Sequence, residues 1–459
     1  MDVYFSKEEC KTPVFTKYEE YKKYYHVLDT WEEIERDILA TYEPPKKTKI
    51  TGTPPDNQLF QLLKSLRPDF YQQSKPAVYN SLFYIFFKYK NAIYVRIRDN
   101  RMILFCYLMN EQYQNPLASH LKAAAGKPKS DYGKWIDMGA VIRPFTKEYD
   151  DFSVGFSYNE TKYYLTQLLL QRDVPDCDFV IHHKERLAIK RDLTEASEEL
   201  VGRADYPLQS KFKKPCYIPF LNFNWNTRYA DYPMPTSDDI LRVFKMYCAP
   251  NCDNIYLDDA PVAWESKKPT AVFRGSFTGA SCRADTNPRL KLAALSRALH
   301  KEPGVPLLDA GITSFKGMFR PRKEMSQRKM QRIDSRLEKT LSVGPLTQEE
   351  QKRYKYVLYV EGNVSAFRAG YLFSYNSVVL WVQSRKYHLW FEPLLQDGVN
   401  CVFVRADLSN LVEVIRALRD NDARAKKIAA AGRHLYETHL GKLSLLNYGQ
   451  MLLCHVARG

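Results

Sequence analysis

The sequence predicts an α/β protein built as two Rossmann-like lobes with parallel sheets, and three observations predict it. A chain of 459 residues is too long for one ordinary core and long enough for two, because domains run to roughly 100–200 residues. In the second half, short apolar runs alternate with amphipathic stretches, the pattern of parallel strands crossed over by helices. In the first half, a helical stretch from Lys162 to Gln171, the turn Val174-Pro175-Asp176 and the buried run Phe179-Val180-Ile181 follow one another as the pieces of a βα lobe.

The elements follow in order. Residues 1–75 read as an N-terminal extension, charged and Tyr-rich, helical from Thr30 to Thr41 and closed by the breaker run Glu43-Pro44-Pro45-Lys46-Lys47. Residues 76–240 read as the first lobe; Ala92 to Arg98 and Met102 to Leu108 flank Asp99-Asn100-Arg101, which is hairpin chemistry. Residues 241–435 read as the second lobe. Its strand Ala271 to Phe273 ends at Arg274-Gly275-Ser276, and a helix follows from Asn287 to Leu299. A strand from Tyr356 to Val360 ends at Glu361-Gly362-Asn363 and leads into a helix through Tyr371. Ser377 to Trp381 and Cys401 to Val404 are further strands, and Asn410 to Leu418 and Ala423 to Glu437 are helices. Residues 436–459 are expected to form a C-terminal helix that crosses back to the first lobe.

Apolar residues at 45% and charged residues at 26%, with 32 Tyr and 24 Phe, exclude a largely disordered chain. A formal charge of +15 draws phosphates of any origin. The start MDVYFSKEECK lacks the apolar stretch of a signal peptide, and no run reaches the ~20 apolar residues of a membrane span. A cytoplasmic protein without a membrane span is expected. Nine scattered cysteines argue against a disulfide framework. Asp176-Cys177-Asp178 has the spelling of a metal-binding pair but precedes its strand, and Cys248 and Cys252 have no partner pair nearby. No metal site is expected.

In open α/β sheets ligands sit beyond the carboxyl ends of the strands. Two such places carry suitable residues. The first is Arg274, Gly275, Ser276, Phe277 and Thr278, where an arginine fork and close-approaching amides suit phosphate. The second is Glu361, Gly362, Asn363, Val364, Ser365 and on to Arg368, where a helix N-terminus would present free amides to an anion. Each singly reads equally well as an ordinary strand-to-helix turn; together they point to a diphosphate held without metal.

The runs PTAVFRGSFTG, LLDAGITSF and YKYVLYVEGNVSAFRAGYLFSYNSVVL, with WFEPLL, VRADLSNL, PDCDFVIHHKERLAIKRDLTEASEEL and FNWNTRYADYPMPTSDD, resemble glycosyltransferase family 90, the capsule-associated proteins and protein O-glucosyltransferases. The resemblance spans roughly residues 80 to 440 in one order, and the hairpin YVRIRDNRMILFCYL is similar to the unsecreted, viral-type branch. It implies a GT-B fold and inverting transfer of glucose or xylose from UDP-glucose or UDP-xylose to a glycan or protein hydroxyl, with no divalent metal. It also implies a carboxylate base just after the Phe-Val-Ile strand. That position holds Glu185 where the family usually has Asp, with His183 as the fallback base. Charge built on the β-phosphate would be met by Arg274 and Arg368 with the amides of Gly362 to Ser365, and Glu361 would accept from the ribose hydroxyls. Asp309 and Gly311 are placed near the uracil edge or in a plain turn. Asp231, Asp238 and Asp239 fall in the acceptor-side segment or serve as caps.

Two alternatives stand beside this reading. The basic run Arg320-Pro321-Arg322-Lys323, continuing through Arg328, Lys329, Arg332 and Arg336, would suit a nucleic-acid-binding protein, but no helix-turn-helix, zinc-finger or RNP signature accompanies it, and no nucleic-acid partner is expected. Glu in place of Asp would also suit a homologue that binds a nucleotide sugar with little turnover.

Overall fold

A computed structural model describes residues 18–46, 56–89, 91–110, 154–182, 187–196, 208–244, 260–279, 281, 283–300, 303–315, 335–383 and 386–458. The chain divides into two compact units, one comprising Met1–Ala196, Asp205–Cys252 and Lys442–Gly459, the other Ser197–Ala204 and Asp253–Gly441.

The first unit carries a sheet of β1 (Val27–Leu28), β2 (Asn91–Arg98), β3 (Arg101–Met109), β4 (Cys177–Ile181), β5 (Phe220–Asn222) and β6 (Tyr232–Pro233), in the order β1-β3-β2-β4-β5-β6. The hairpin read from the sequence is β2 and β3. Asp99 and Asn100 form its turn at φ of 48° and 57°, left-handed values that Asp and Asn tolerate best among non-glycine residues and that match the strand twist. The sheet is therefore mixed: β2 runs antiparallel to β3 and β4, while β1 pairs parallel with β3 and β4, β5 and β6 pair parallel. Val27 and Leu28, within the stretch read as an extension, pair with Tyr107 and Leu108 of this sheet. The helix Lys442–Ala457 belongs to the same unit: Tyr164 OH donates to Leu445 O at 2.8 Å and Tyr448 OH to Pro233 O at 2.6 Å.

Asp176 and Asp178, the metal-like spelling, are spent on the fold. Asp178 is fully buried in β4, paired with Arg96 Nε at 2.9 Å and with Arg98, and it accepts from Tyr94 OH. Asp176 accepts the amides of Asp99 at 2.8 Å and Lys46 at 3.1 Å. Buried charge is tolerated only when its lone pairs are filled in this way.

The second unit holds β7 (Lys268–Ser276), β8 (Leu308–Ser314), β9 (Tyr354–Tyr359), β10 (Val378–Val382) and β11 (Val402–Val404), all parallel, in the order β11-β10-β9-β7-β8. Its strands are apolar on both faces because helices cover them: Ala271, Phe273, Tyr356, Leu358, Val378 and Leu380 pack with Leu411, Ile415 and Ile428 of the Leu411–Asp420 and Asp422–His439 helices. The helix Pro288–Leu299 starts where Asn287 accepts the amides of Arg289 and Leu290 and where Pro288 takes a position that needs no donor.

Two expectations change here. Asp309 and Gly311 lie inside β8, not in a turn; the short polar Asp and small Gly mask a strand that earns its place by pairing with Val272 and Arg274. The helix expected after β9 shrinks to Ala369–Leu372, because Gly362 N bonds Val364 O at 2.9 Å and bends the chain into a turn before any helix can begin. Replacing Asp178 by Ala should cost about 3–5 kcal/mol in urea unfolding, since two buried guanidinium groups lose their counterion.

Candidate functional site

In the second unit the chain passes from β7 out to β8 and then returns to the other side of β7 as β9. Strand order thus reverses between β7 and β9, and the crevice outside their carboxyl ends is where a doubly wound sheet binds a ligand. The loops after these two strands meet there. Gly279 N donates to Asn363 Oδ1 at 2.9 Å. A Cβ on Gly362 would stand 2.5 Å from Thr278 Oγ1, so only glycine admits this approach. Gly275 and Ser276 form the tail of β7, and Val364 and Ser365 are buried in the β9 loop. Among the described residues the amides of Asn363, Val364 and Ser365 have no acceptor, whereas Ala366 N is taken by Tyr359 OH at 3.2 Å.

The two sequence-predicted arginines lie together but are engaged differently. Arg274 turns toward β8: Nη2 pairs with Asp309 Oδ1 at 2.8 Å and Nη1 donates to Asp309 O at 2.9 Å. Tyr354 OH donates to the other Asp309 oxygen at 3.0 Å. Asp309 is thereby the counterion of Arg274. Gly311 answers to packing, because a Cβ there would fall 2.4 Å from Val343 methyls. Arg368 donates Nη1 to Arg274 O and lies 5.0 Å from the Phe273 ring centroid. The Nε atoms of Arg274 and Arg368 are buried without a partner, donors left over for an anion.

Two groups escaped the sequence reading. Arg289 reaches the carbonyls of Ser276, Val360 and Glu361; its only sequence signal was a cation in the first turn of a helix. His388 Nδ1 pairs with Glu392 Oε2 at 2.6 Å. Burial pulls the His388 imidazole down, but Glu392 and then Glu361 outweigh it and raise the pKa above its ordinary value, while burial raises the Glu392 carboxyl. Glu392 stands in the quoted run WFEPLL, so the motif was visible though its partner was not. Glu361 itself is partly buried beside this pair.

In the first unit, Glu185 and His183 lie outside the described residues, as do Cys248, Cys252 and the basic run from Arg320 to Arg332. Asp231 is fully buried and accepts the amides of Ala188 at 2.8 Å and Ile189 at 3.1 Å, so both its oxygens fasten backbone. Thr236 caps the Ser237–Phe244 helix by accepting the Asp239 amide at 3.1 Å, and the Asp239 carboxylate accepts from Thr236 Oγ1 at 2.9 Å in return; Asp238 lies in the same first turn. Among the described residues no helix is long and apolar enough to cross a membrane.

The family model described as glycosyl transferase family 90 matches residues 143–458. The chain belongs to glycosyl transferase family 90. It is 29% identical to protein 179R of Invertebrate iridescent virus 6 over 89% of this chain and 40% of that protein. It is 27% identical to protein 027R of Frog virus 3 over 78% of this chain and 39% of that one. Protein O-glucosyltransferase 2 of Danio rerio is 29% identical over 53% of this family 90 chain and 43% of its own length. The chain thus spans about two fifths of the relatives' lengths, 39 to 43% in these three cases.

Burial pushes the Asp231 carboxyl up to about 7 against the pull of the Ala188 and Ile189 amides. Its folded pKa exceeds the ordinary 3.8, so the native state holds a proton that the unfolded chain releases, and stability falls as pH rises from about 4 to 7. Melting temperatures across that window should fall less steeply for Asp231→Asn than for the parent; equal slopes would place the carboxylate in the ionised form throughout.

Proposed function

We propose that this chain is a glycosyltransferase that binds a UDP-sugar at the β7/β9 crevice and transfers glucose or xylose, with inversion and without a metal, to a hydroxyl on a glycan or protein. The observation that carries the reading is the meeting of two glycine-containing loops at the switch point beside the buried, unpartnered Nε atoms of Arg274 and Arg368. Family membership supports the class of reaction, and the viral relatives and the O-glucosyltransferase support no finer choice of acceptor.

Cleavage of the anomeric bond to UDP builds negative charge on the β-phosphate. Preorganised donors lower that barrier because they need no reorientation as the charge grows. Arg368 and the amides of Asn363, Val364 and Ser365 are the donors on the β9 side, and Arg274, with its charge shared by Asp309, is the donor on the β7 side. Glu361 is the acceptor for the ribose hydroxyls. Glu185, from the segment after β4, takes the proton of the acceptor hydroxyl as it attacks the anomeric carbon opposite UDP.

Arg368→Ala should weaken UDP binding by about 1.5–3 kcal/mol in calorimetric titration, the usual worth of a hydrogen bond to a charged group, with the fold intact. Parental affinity in that variant would place the donor site elsewhere. Transfer should persist in EDTA; loss reversed by manganese or magnesium would overturn the metal-free mechanism. For the base, Glu185→Gln should lower turnover by ~10²–10⁴-fold with UDP affinity near parental. Undiminished turnover would exclude Glu185 and send the test to His183.

A further inference from the structure

The helix Lys75–Tyr84 and its continuation Ile85–Tyr89 have two sides, and only one is spent on the core. Inward, Val78, Leu82, Ile85 and Phe86 are buried. Outward, Tyr79, Phe83 and Phe87 stand four residues apart, a spacing that sets them in one row advancing about 6 Å per step. Tyr79 and Phe87 are each 39% exposed, and Phe83 is half-buried. The rings touch in turn: Tyr79 lies 6.3 Å from Phe83 with an interplanar angle of 16°, and Phe83 lies 4.8 Å from Phe87. Trp31 backs the row at 5.6 Å from Tyr79, 5.8 Å from Phe83 and 5.3 Å from Phe87, and Glu35 accepts its indole N–H at 2.8 Å. Contiguous aromatic rings left partly in solvent mark a binding face, where singly scattered ones would not.

On its Phe212 side the row is flanked by positive charge. Lys214 Nζ lies 5.8 Å from the Phe83 centroid, and Lys211 Nζ lies 4.9 Å from that of Phe212, which packs against Phe83 at 5.9 Å. Among the described residues no carboxylate pairs with Lys211, Lys213 or Lys214, whereas Lys88 is spent on Glu195. Geometry favours one class of ligand. A nucleic-acid strand stacks its bases on ring faces presented one after another, but Trp31 stands edge-on to Tyr79 at 90° and to Phe83 at 85° and closes the spaces that bases would enter. The shallow surface that remains suits the apolar face of a pyranose, whose C–H bonds carry partial positive charge and meet the negative face of an aromatic ring. Lysines without acidic partners suit carboxylates on the same chain.

The row also leads toward the candidate base. β2 begins beside the end of β4, with Ile93 opposite Ile181, so the helix ends at the carboxyl edge of β4, where the Tyr89 ring meets His182 at 4.7 Å. On the buried side Tyr84 OH at 2.8 Å and Tyr89 OH at 2.5 Å both donate to Ala188 O. Ala188 follows Glu185 by three residues in sequence. One helix therefore displays the aromatic row on its outer face and fastens, on its inner face, the stretch that follows the candidate base.

We propose that Tyr79, Phe83 and Phe87, with Trp31 behind them and Lys211 and Lys214 beside them, form the acceptor-binding track, and that the acceptor is an oligosaccharide bearing carboxylates. The inference rests on the glycan-acceptor part of the reading above.

The test is calorimetric titration of the full chain with a hyaluronan octasaccharide, in which every second sugar carries a carboxylate. A neutral chitin oligosaccharide of equal length, a single-stranded oligodeoxythymidylate and UDP are titrated in parallel. The parent should bind the hyaluronan probe and bind the neutral one more weakly. Tyr79→Ala and Phe87→Ala should keep the native circular-dichroism spectrum and parental UDP affinity, and each should lose affinity for hyaluronan on the order of threefold to tenfold. Lys211→Ala combined with Lys214→Ala should erase the preference for the charged probe. Hyaluronan binding unchanged in both aromatic variants would be attraction by net charge and would overturn the track. Equal affinity of the parent for the two oligosaccharides overturns the acidic acceptor. Tighter binding of the oligonucleotide, lost in the same variants, assigns the row to nucleic acid and overturns the proposal. So does a parent that self-associates in sedimentation beside a Phe87→Ala variant that does not. A parent that binds UDP but no hyaluronan overturns the track alone, and one that binds hyaluronan through the row but no UDP overturns the donor-site reading alone.

Discussion

Everything at the candidate site depends on the parting of β7 and β9. Parallel strands share a ladder only while their register holds, and here it holds to Val272 and Val357. Past that point β7 follows β8, and the peptide groups of Ser276, Val360 and Glu361 would be stranded if Arg289 did not gather them. The crevice outside these carboxyl ends is open to a ligand because the connections from β7 and β9 leave in opposite directions. Chain reversal puts that opening at the switch point, which is why the two loops that meet there come from distant parts of the sequence.

Charge around the opening is layered. Arg289 is consumed by backbone carbonyls, Arg274 by Asp309, and Arg368 keeps the most capacity for an incoming anion. Two guanidinium groups beside the Phe273 ring, Arg289 and Arg368, would repel each other without these partners. Partial neutralisation lets the arginines coexist in a largely buried place, while the leftover Nε donors preserve a preference for negative charge. The His388 and Glu392 pair adds an imidazole bonded to Glu392 and favoured in its charged form by the charge of Glu361 as well, so the electrostatics of that edge change with pH where the arginines do not.

The first unit uses the same chemistry for another end. Its carboxylates Asp176, Asp178 and Asp231 are spent on amides and arginines inside the fold. A spelling that suggests metal binding is here a stitch between the hairpin tip and β4, because Arg96 on β2 sits directly across the ladder from Asp178 and the Arg98 side chain reaches the same carboxylate.

The sequence by itself determined the alternation of strand and helix, the Asp99-Asn100 hairpin turn, the Asn287 helix start and the loops whose glycines and hydroxyls invite a phosphate. These are local: each follows from the propensity, capping or turn chemistry of a few adjacent residues. Tertiary structure decided what those residues spend their donors on. Gly311 faces Val343 and Arg274 faces Asp309, and neither pairing has a signature within a short window. Arg289 is the clearest case, because a helix cation becomes a strap only when strand order brings Ser276 and Val360, 84 residues apart in chain, to either side of it. Strand order is a property of how chain segments cross and close over one another, and single-residue preferences carry no record of it.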